Sequence, residues 1–246
     1  MIAEPGTPEW EAARLGKLTA SRLYDALGTT QKGTWLASRR KYMIELAAER
    51  MTGMRSDPYL SAPMLWGVES EPLAIAAYEK ARGITTEKIG FVVHPLLKMC
   101  GATPDALVSD DGILEIKCPE SATHIATLVE REIPEKYLMQ MHWQMACLPA
   151  RRWCDYMSFD PRMPPRFRSA VIRVERDQKR IARLTLGAED FLNDLERIVA
   201  GIETGQPYVP EDWKPRTAPA IVKPEHLASE DAARDLKPTN LFPRKR

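Results

Sequence analysis

Between residues 84 and 118 the apolar residues stop recurring at helical spacing and gather into four short runs, at 89–93, 98–102, 106–108 and 113–118. Runs of that length, rich in valine, isoleucine and leucine, read as strands. His94-Pro95 and Asp110-Asp111-Gly112 separate them with turn signals. Both flanks keep helical spacing. On the N-terminal side, 7–27 reads as two short helices. Thr7 caps the first ahead of Pro8. Thr19-Ala20-Ser21 can cap the second, with Leu23, Tyr24 and Leu27 on one face. After a loop at 28–33, Leu36, Tyr42, Met43 and Leu46 predict a helix over about 34–51. A polar loop at 52–61 precedes a helix opened by Pro63 and closed by Gly83, with Leu65, Leu73, Ala76 and Ala77 on its expected buried face. On the C-terminal side the pattern predicts helices at 120–131 and 135–148, strands at 151–159 and 169–175, and a helix from Asp177 to about Glu203. Helices around a central mixed sheet make an α/β or α+β domain.

A chain of 246 residues, 44% hydrophobic and 28% charged, has the length for one large domain with a tail. A core of that size forms without disulfides, and Cys100, Cys118, Cys147 and Cys154 show neither disulfide nor zinc spacing. No apolar run approaches the ~18 residues of a membrane span, and the acidic N-terminus lacks a secretory segment. The expectation is a reduced, cytoplasmic protein without a membrane partner. A net charge of +1 excludes a uniformly basic nucleic-acid coat but leaves room for one basic groove. Prolines crowd in beyond Gly205 (Pro207, Pro210, Pro215, Pro219, Pro224). The expected division is therefore a domain over 1–205 and a proline-rich extension over 206–246. The extension is of low order or packs on a neighbour, with 215–246 as its tail.

The chemistry concentrates in Thr103-Pro104-Asp105 and Leu114-Glu115-Ile116-Lys117. Alternation along the second segment puts Glu115 and Lys117 on one face, Leu114 and Ile116 on the other. A hairpin through Asp110-Asp111-Gly112 would return that strand beside Asp105. Two carboxylates and an ammonium would then converge, a donor set suited to Mg²⁺ and a phosphate. The same residues also fit a solvated Glu115–Lys117 pair with Asp105 as a turn residue, and the pattern alone leaves both open. Three further segments carry candidates: Arg14 to Ser21, where a hydroxyl and an arginine flank a helix start; Trp66 to Glu71; and Lys136 to Gln140. The four histidines lack metal spacing, and neither a nucleophile elbow nor a phosphate loop is present. The basic clusters 39–41, 151–152 and 162–168 are either solvated surface or the lining of a DNA groove.

Taken in order, Arg-Leu-Gly-x-x-Thr-Ala-Ser, Trp-Gly-x-x-x-Glu, Thr-Pro-Asp-x-Leu, Leu-Glu-x-Lys-Cys-Pro, Tyr-x-x-Gln and Asp-Pro-Arg-Met resemble the lambda exonuclease / YqaJ-type viral recombinase family. The resemblance runs from about Glu9 to Ile202. It implies a restriction-endonuclease-like PD-(D/E)XK core. It also implies Asp105, Glu115 and the carbonyl of Ile116 as metal ligands, Lys117 as the catalytic lysine, Glu71 as a supporting helical glutamate, and Gln140 as the glutamine behind the lysine. Arg14, Ser21 and Thr103 match positions that hold a DNA 5′-phosphate. Where the family places a second phosphate-binding arginine, this sequence has Thr123, and Arg22, His124 and Arg131 are the candidate substitutes. The implied activity is a Mg²⁺-dependent (or Mn²⁺-dependent), two-metal exonuclease that degrades one strand of linear duplex DNA from the 5′ end. It would act as a ring-shaped homotrimer and leave 3′ overhangs for a single-strand annealing partner. The alternatives are a structure-specific or endonucleolytic enzyme of the same core, or a DNA-end-binding protein without catalysis.

Overall fold

The structure, a computed structural model, describes residues 5–55, 62–206, 208–210 and 213. The tail expected at 215–246 lies outside the described residues, as does most of the loop expected at 52–61. Seven helices occur among the described residues: α1 (Pro8–Arg14), α2 (Leu23–Leu27), α3 (Ser38–Thr52), α4 (Ala62–Arg82), α5 (Ser121–Glu130), α6 (Glu135–Cys147) and α7 (Gln178–Glu203). The strands are β1 (Leu18–Thr19), β2 (Thr86–Glu87), β3 (Val92–Val93), β4 (Cys100–Ala102), β5 (Ala106–Val108), β6 (Gly112–Lys117), β7 (Trp153–Phe159) and β8 (Ser169–Glu175). A five-stranded sheet runs β2-β5-β6-β7-β8, and a small sheet runs β1-β4-β3. Only β6 with β7 and β1 with β4 are parallel. This is the mixed α+β architecture expected, with a restriction-endonuclease-like core.

The parallel β6–β7 pair explains why their sequences are apolar on both sides, since helices cover both faces of such strands. Ile113, Cys154 and Tyr156 face the larger core, built with α2, α3, α6 and α7. Leu114, Ile116, Met157 and Phe159 face a second core closed by Ala74 and Tyr78 of α4. The strand alternation read from 113–117 is therefore the observed one. Gly112 starts β6 opposite Trp153. A methyl added there would meet the Trp153 ring at 2.1 Å. Gly112→Ala is expected to cost about 1–3 kcal/mol by overpacking, read as a lower melting temperature with secondary structure retained.

Three expectations change. The helix predicted from 34 begins at Ser38, because Trp35 first pairs with Thr29 in a β-bridge. Thr19, expected with Ala20 and Ser21 as a helix cap, instead joins Leu18 in β1 against Cys100–Gly101 and makes no side-chain cap bond. On α4 the buried residues are Ser70, Ala74 and Tyr78, while Leu65 and Leu73 are 46% and 55% exposed and Ala76 is exposed. Apolar residues surround much of this helix, so hydropathy does not select a face. Small residues at 70 and 74 allow close approach to the sheet, and the Tyr78 hydroxyl finds a partner there. That partner is Asp155 of β7, fully buried, which accepts from Tyr78 at 2.7 Å and from Arg173 at 2.7 and 3.0 Å. All four cysteines are free, and no helix among the described residues is long and apolar enough to cross a membrane.

Candidate active site

The β5–β6 hairpin pairs Ala106 with Leu114 and Val108 with Gly112. Asp105, just before β5, therefore lands beside Ile116, whose N–H donates to Asp105 Oδ2 at 2.5 Å. Glu115, with no exposed surface, occupies the inner face of β6. Its Oε1 accepts from Gln140 Nε2 at 2.7 Å and from Lys117 Nζ, and its Oε2 accepts from Gln144 Nε2 at 2.5 Å. The Lys117 ammonium lies 5.0 Å from the Tyr137 ring centroid. Tyr137, Gln140 and Gln144 recur at three- and four-residue spacing, so α6 presents all three on one stripe.

The electrostatics of the cluster are strained without a counter-ion. Burial, then the neighbouring charge of Glu115, pushes the Asp105 carboxyl well above the ordinary range, against the pull of Lys117 and the Ile116 N–H. Glu71 of α4 is also raised, first by burial and in part by Glu115, and its charge reaches Asp105. Burial lowers the Lys117 pKa, but Glu115 and Asp105 outweigh it and leave the pKa above its usual value. A partly buried carboxylate whose ionisation is opposed by a fully buried neighbour fits a hard divalent ion, which needs one or two carboxylates and keeps its waters. Among the described residues no group of three or more His, Cys, Asp or Glu side chains is placed to hold a metal.

Of the expected phosphate residues, Arg14 and Thr103 share Trp10, and Ser21 contacts Thr19. Trp10 Nε1 donates to Thr103 Oγ1 at 3.0 Å, and the Arg14 guanidinium packs 3.9 Å over the Trp10 ring. Thr19 pairs with Gly101, two residues before Thr103, and its hydroxyl is 3.4 Å from that of Ser21. Burial lowers the Arg14 pKa against the pull of Tyr42 and Glu49, and no carboxylate pairs with Arg14 among the described residues. The proposed substitutes for an arginine at 123 are otherwise engaged. Arg22 pairs with Asp25 at 2.5 Å and Glu45 at 3.0 Å. His124 is fully buried, with one ring nitrogen on Ser158 and the other on the Phe167 carbonyl. Arg131 donates to the Val171 carbonyl at 2.9 Å.

Sequence reasoning missed Trp10, Tyr137 and Gln144. Gln144 was findable, since it lies one helical turn from Gln140. Replacing Gln144 with leucine leaves Glu115 Oε2 buried and unpaired. Its expected effect is a loss of about 10- to 100-fold in activity or metal affinity, the usual cost of removing a group that orients a ligand, measured by metal titration of the cleavage rate. A cavity of about 800 Å³, lined by Glu79, Lys80, Gly83 and Ser109 among others, lies at the opposite end of β6 and contains none of these residues.

The model of the YqaJ-like viral recombinase domain matches residues 9–150. Among solved structures, an alkaline exonuclease (LHK-Exo) from Laribacter hongkongensis is 40% identical, with a TM-score of 0.75 over 81% of this chain and 97% of that one. The same exonuclease in complex with dAMP superposes equally well. A phage-related exonuclease from Haemophilus somnus 129PT, 14% identical with a TM-score of 0.60 over 76% of this chain and 96% of that one, shares the fold. No curated protein matches the chain. With its family model covering more than half the sequence and a relative at 40% identity over most of it, the chain belongs to the YqaJ-like viral recombinase family, of the lambda exonuclease type.

Proposed function

We propose that the protein is a metal-dependent nuclease that degrades one strand of linear duplex DNA from its 5′ end and leaves a 3′ overhang for recombination. The observation that carries this reading is the meeting of Asp105, Glu115 and Lys117 at the end of β6, with both Glu115 oxygens held by glutamines. The 40% identical relative is an exonuclease by name, which supports the class of reaction.

Asp105, Glu115 and the Ile116 carbonyl would hold Mg²⁺, or Mn²⁺, with Glu71 available to support a two-ion site. When bound, the ion supplies Lewis acidity that activates water and neutralises phosphate charge. Gln140 and Gln144 fix the Glu115 carboxylate so that it needs no reorganisation during the reaction. Lys117 stays an ammonium at neutral pH, since neighbouring carboxylates hold its pKa above the usual value. Its role is to position the attacking water and stabilise charge growing on the phosphate. Arg14 and Thr103, both on Trp10, together with Ser21 would receive the 5′-phosphate that starts each digestion. A ring-shaped homotrimer and a single-strand annealing partner complete the reading by resemblance.

The test compares linear duplex with covalently closed circles in Mg²⁺. The exonuclease reading expects loss of the linear form and intact circles. Nicked circles would support the endonuclease alternative, and binding without any metal-dependent product would support the end-binding one. Arg14→Glu is expected to slow initiation on 5′-phosphorylated ends about tenfold or more, the cost of roughly one charge-assisted contact, with a smaller effect on later steps. Equal slowing of both phases, resolved by single-turnover kinetics, would remove the phosphate-pocket assignment.

A further inference from the structure

We infer that residues 160–168, which connect β7 to β8, form a rigid basic hairpin that grips the DNA phosphate backbone beside the catalytic edge; this rests on the nuclease reading above. Its position comes from the strand order. β6 and β7 are parallel, with Lys117 opposite Ser158, so both strands leave the sheet on the edge that carries the candidate active site. The hairpin is tied to that edge, because Arg162 Nη2 donates to the Pro119 carbonyl at 3.3 Å, two residues beyond Lys117.

The segment is held from several directions. The Asp160 N–H donates to the Arg168 carbonyl at 2.9 Å, and the Phe167 N–H donates to the Pro164 carbonyl at 2.8 Å. Arg168 Nε donates to the Met163 carbonyl at 2.9 Å, and the Phe167 carbonyl meets the His124 ring at 2.8 Å. Pro161, Pro164 and Pro165 restrict the backbone further. Asp160 is fully buried and accepts from Ser121 at 2.6 Å and from Arg162 at 2.8 and 3.1 Å. Burial raises the Asp160 carboxyl, but the Arg162 and Ser121 hydrogen bonds win and hold it at about 2. Its charge is therefore permanent, and it anchors Arg162, whose guanidinium stacks 4.5 Å from the Trp66 ring of α4.

That anchoring uses Arg162 and leaves Arg166 and Arg168. Neither has a carboxylate partner among the described residues, both are exposed, and the Arg166 guanidinium lies 4.6 Å over the Phe167 ring. Other arginines of the fold, such as Arg22, Arg39, Arg50 and Arg180, pair with acids. Two unneutralised guanidinium groups on a loop ordered before any ligand arrives bind an anion at little entropic cost. The anion that must pass this edge is the backbone of the strand being cut, since its reacting phosphate lies at Lys117. Guanidinium donors match phosphate oxygens in geometry as well as charge.

The test measures the Kd of the full-length protein for linear duplex across a KCl series, in Ca²⁺ to prevent turnover. Each phosphate contact contributes about 0.9 to the slope of log Kd against log salt. Arg166→Gln with Arg168→Gln is expected to lower that slope by about 2 and to weaken binding about tenfold at low salt. Arg166→Lys with Arg168→Lys should restore most of the slope. Arg183→Gln, which removes an exposed charge from α7, should leave it unchanged. Arg166→Gln alone keeps the Arg168–Met163 hydrogen bond and should show about half the effect. If the double glutamine variant matches wild type in Kd and slope while wild type degrades DNA, the hairpin is solvated surface and the inference fails. If wild type neither binds nor cuts DNA, the underlying nuclease reading fails instead.

Discussion

Lys117→Ala is expected to lower the rate of DNA hydrolysis by at least ~10³-fold, the scale seen when a preorganised charge at a developing anion is removed. The ammonium has two fixed neighbours, the Glu115 carboxylate and the Tyr137 ring, so it is placed before substrate arrives and adds no reorganisation to the barrier. Asp105→Asn should be equally inactive but for a different reason, and the two can be separated without an activity assay. Asp105 is a partly buried carboxylate near Glu115, and burial and Glu115 both oppose its ionisation. Removing its charge relieves that repulsion, so in EDTA the variant should melt no lower than wild type. In Mg²⁺ the wild type should gain stability as ligand binding shifts the folding equilibrium, and Asp105→Asn should not. Lys117→Ala should keep the Mg²⁺-induced rise while losing turnover. A variant of either residue that cuts DNA at the wild-type rate would remove the assignment of chemistry.

The second large effect is on stability. Asp155→Ala should destabilise the fold by about 2–3 kcal/mol, which at this chain length lowers the melting temperature by roughly 5–10 °C. Asp155 is fully buried and holds Tyr78 of α4 and Arg173 of β8 with three hydrogen bonds. Its loss strands the Tyr78 hydroxyl between helix and sheet. The figure stays below that of a fully buried ion pair because the Arg173 side chain is 42% exposed and can return to water. Since α4 also carries Glu71, part of the effect should appear as reduced activity below the melting point. Tyr78→Phe removes only the donor and leaves Asp155 paired with Arg173, so it should cost about 1 kcal/mol. A thermal melt of the three proteins in one buffer checks the order.

Much of this fold was legible where one physical preference dominated. Asp177 ahead of 178–203 predicts a helix start, and its carboxylate does accept from the N–H groups of Lys179 and Arg180. Alternation over 113–117 sorted Glu115 and Lys117 from Leu114 and Ile116 because a strand offers only two faces. Legibility failed where tertiary context outvoted local pattern. Thr19 reads as part of a cap, yet with Leu18 it pairs with a parallel strand some eighty residues away. Leu65, Val68 and Leu73 of α4 point outward because packing rewards the small side chains at 70 and 74. The candidate site followed the same division. Asp105, Glu115 and Lys117 come from one hairpin and could be placed by counting residues. Trp10, which bonds Thr103 across 93 residues and carries Arg14 over its ring, has no local signal at all.

Directional hydrolysis at the end of β6 is read from duplex DNA labelled separately at each 5′ and 3′ terminus. With Mg²⁺ and wild-type protein, the expected result is early release of the 5′ label as mononucleotide, with the 3′ label retained on a shortening duplex and no release by Lys117→Ala. Early release of the 3′ label, or of internal fragments carrying either label, would contradict it.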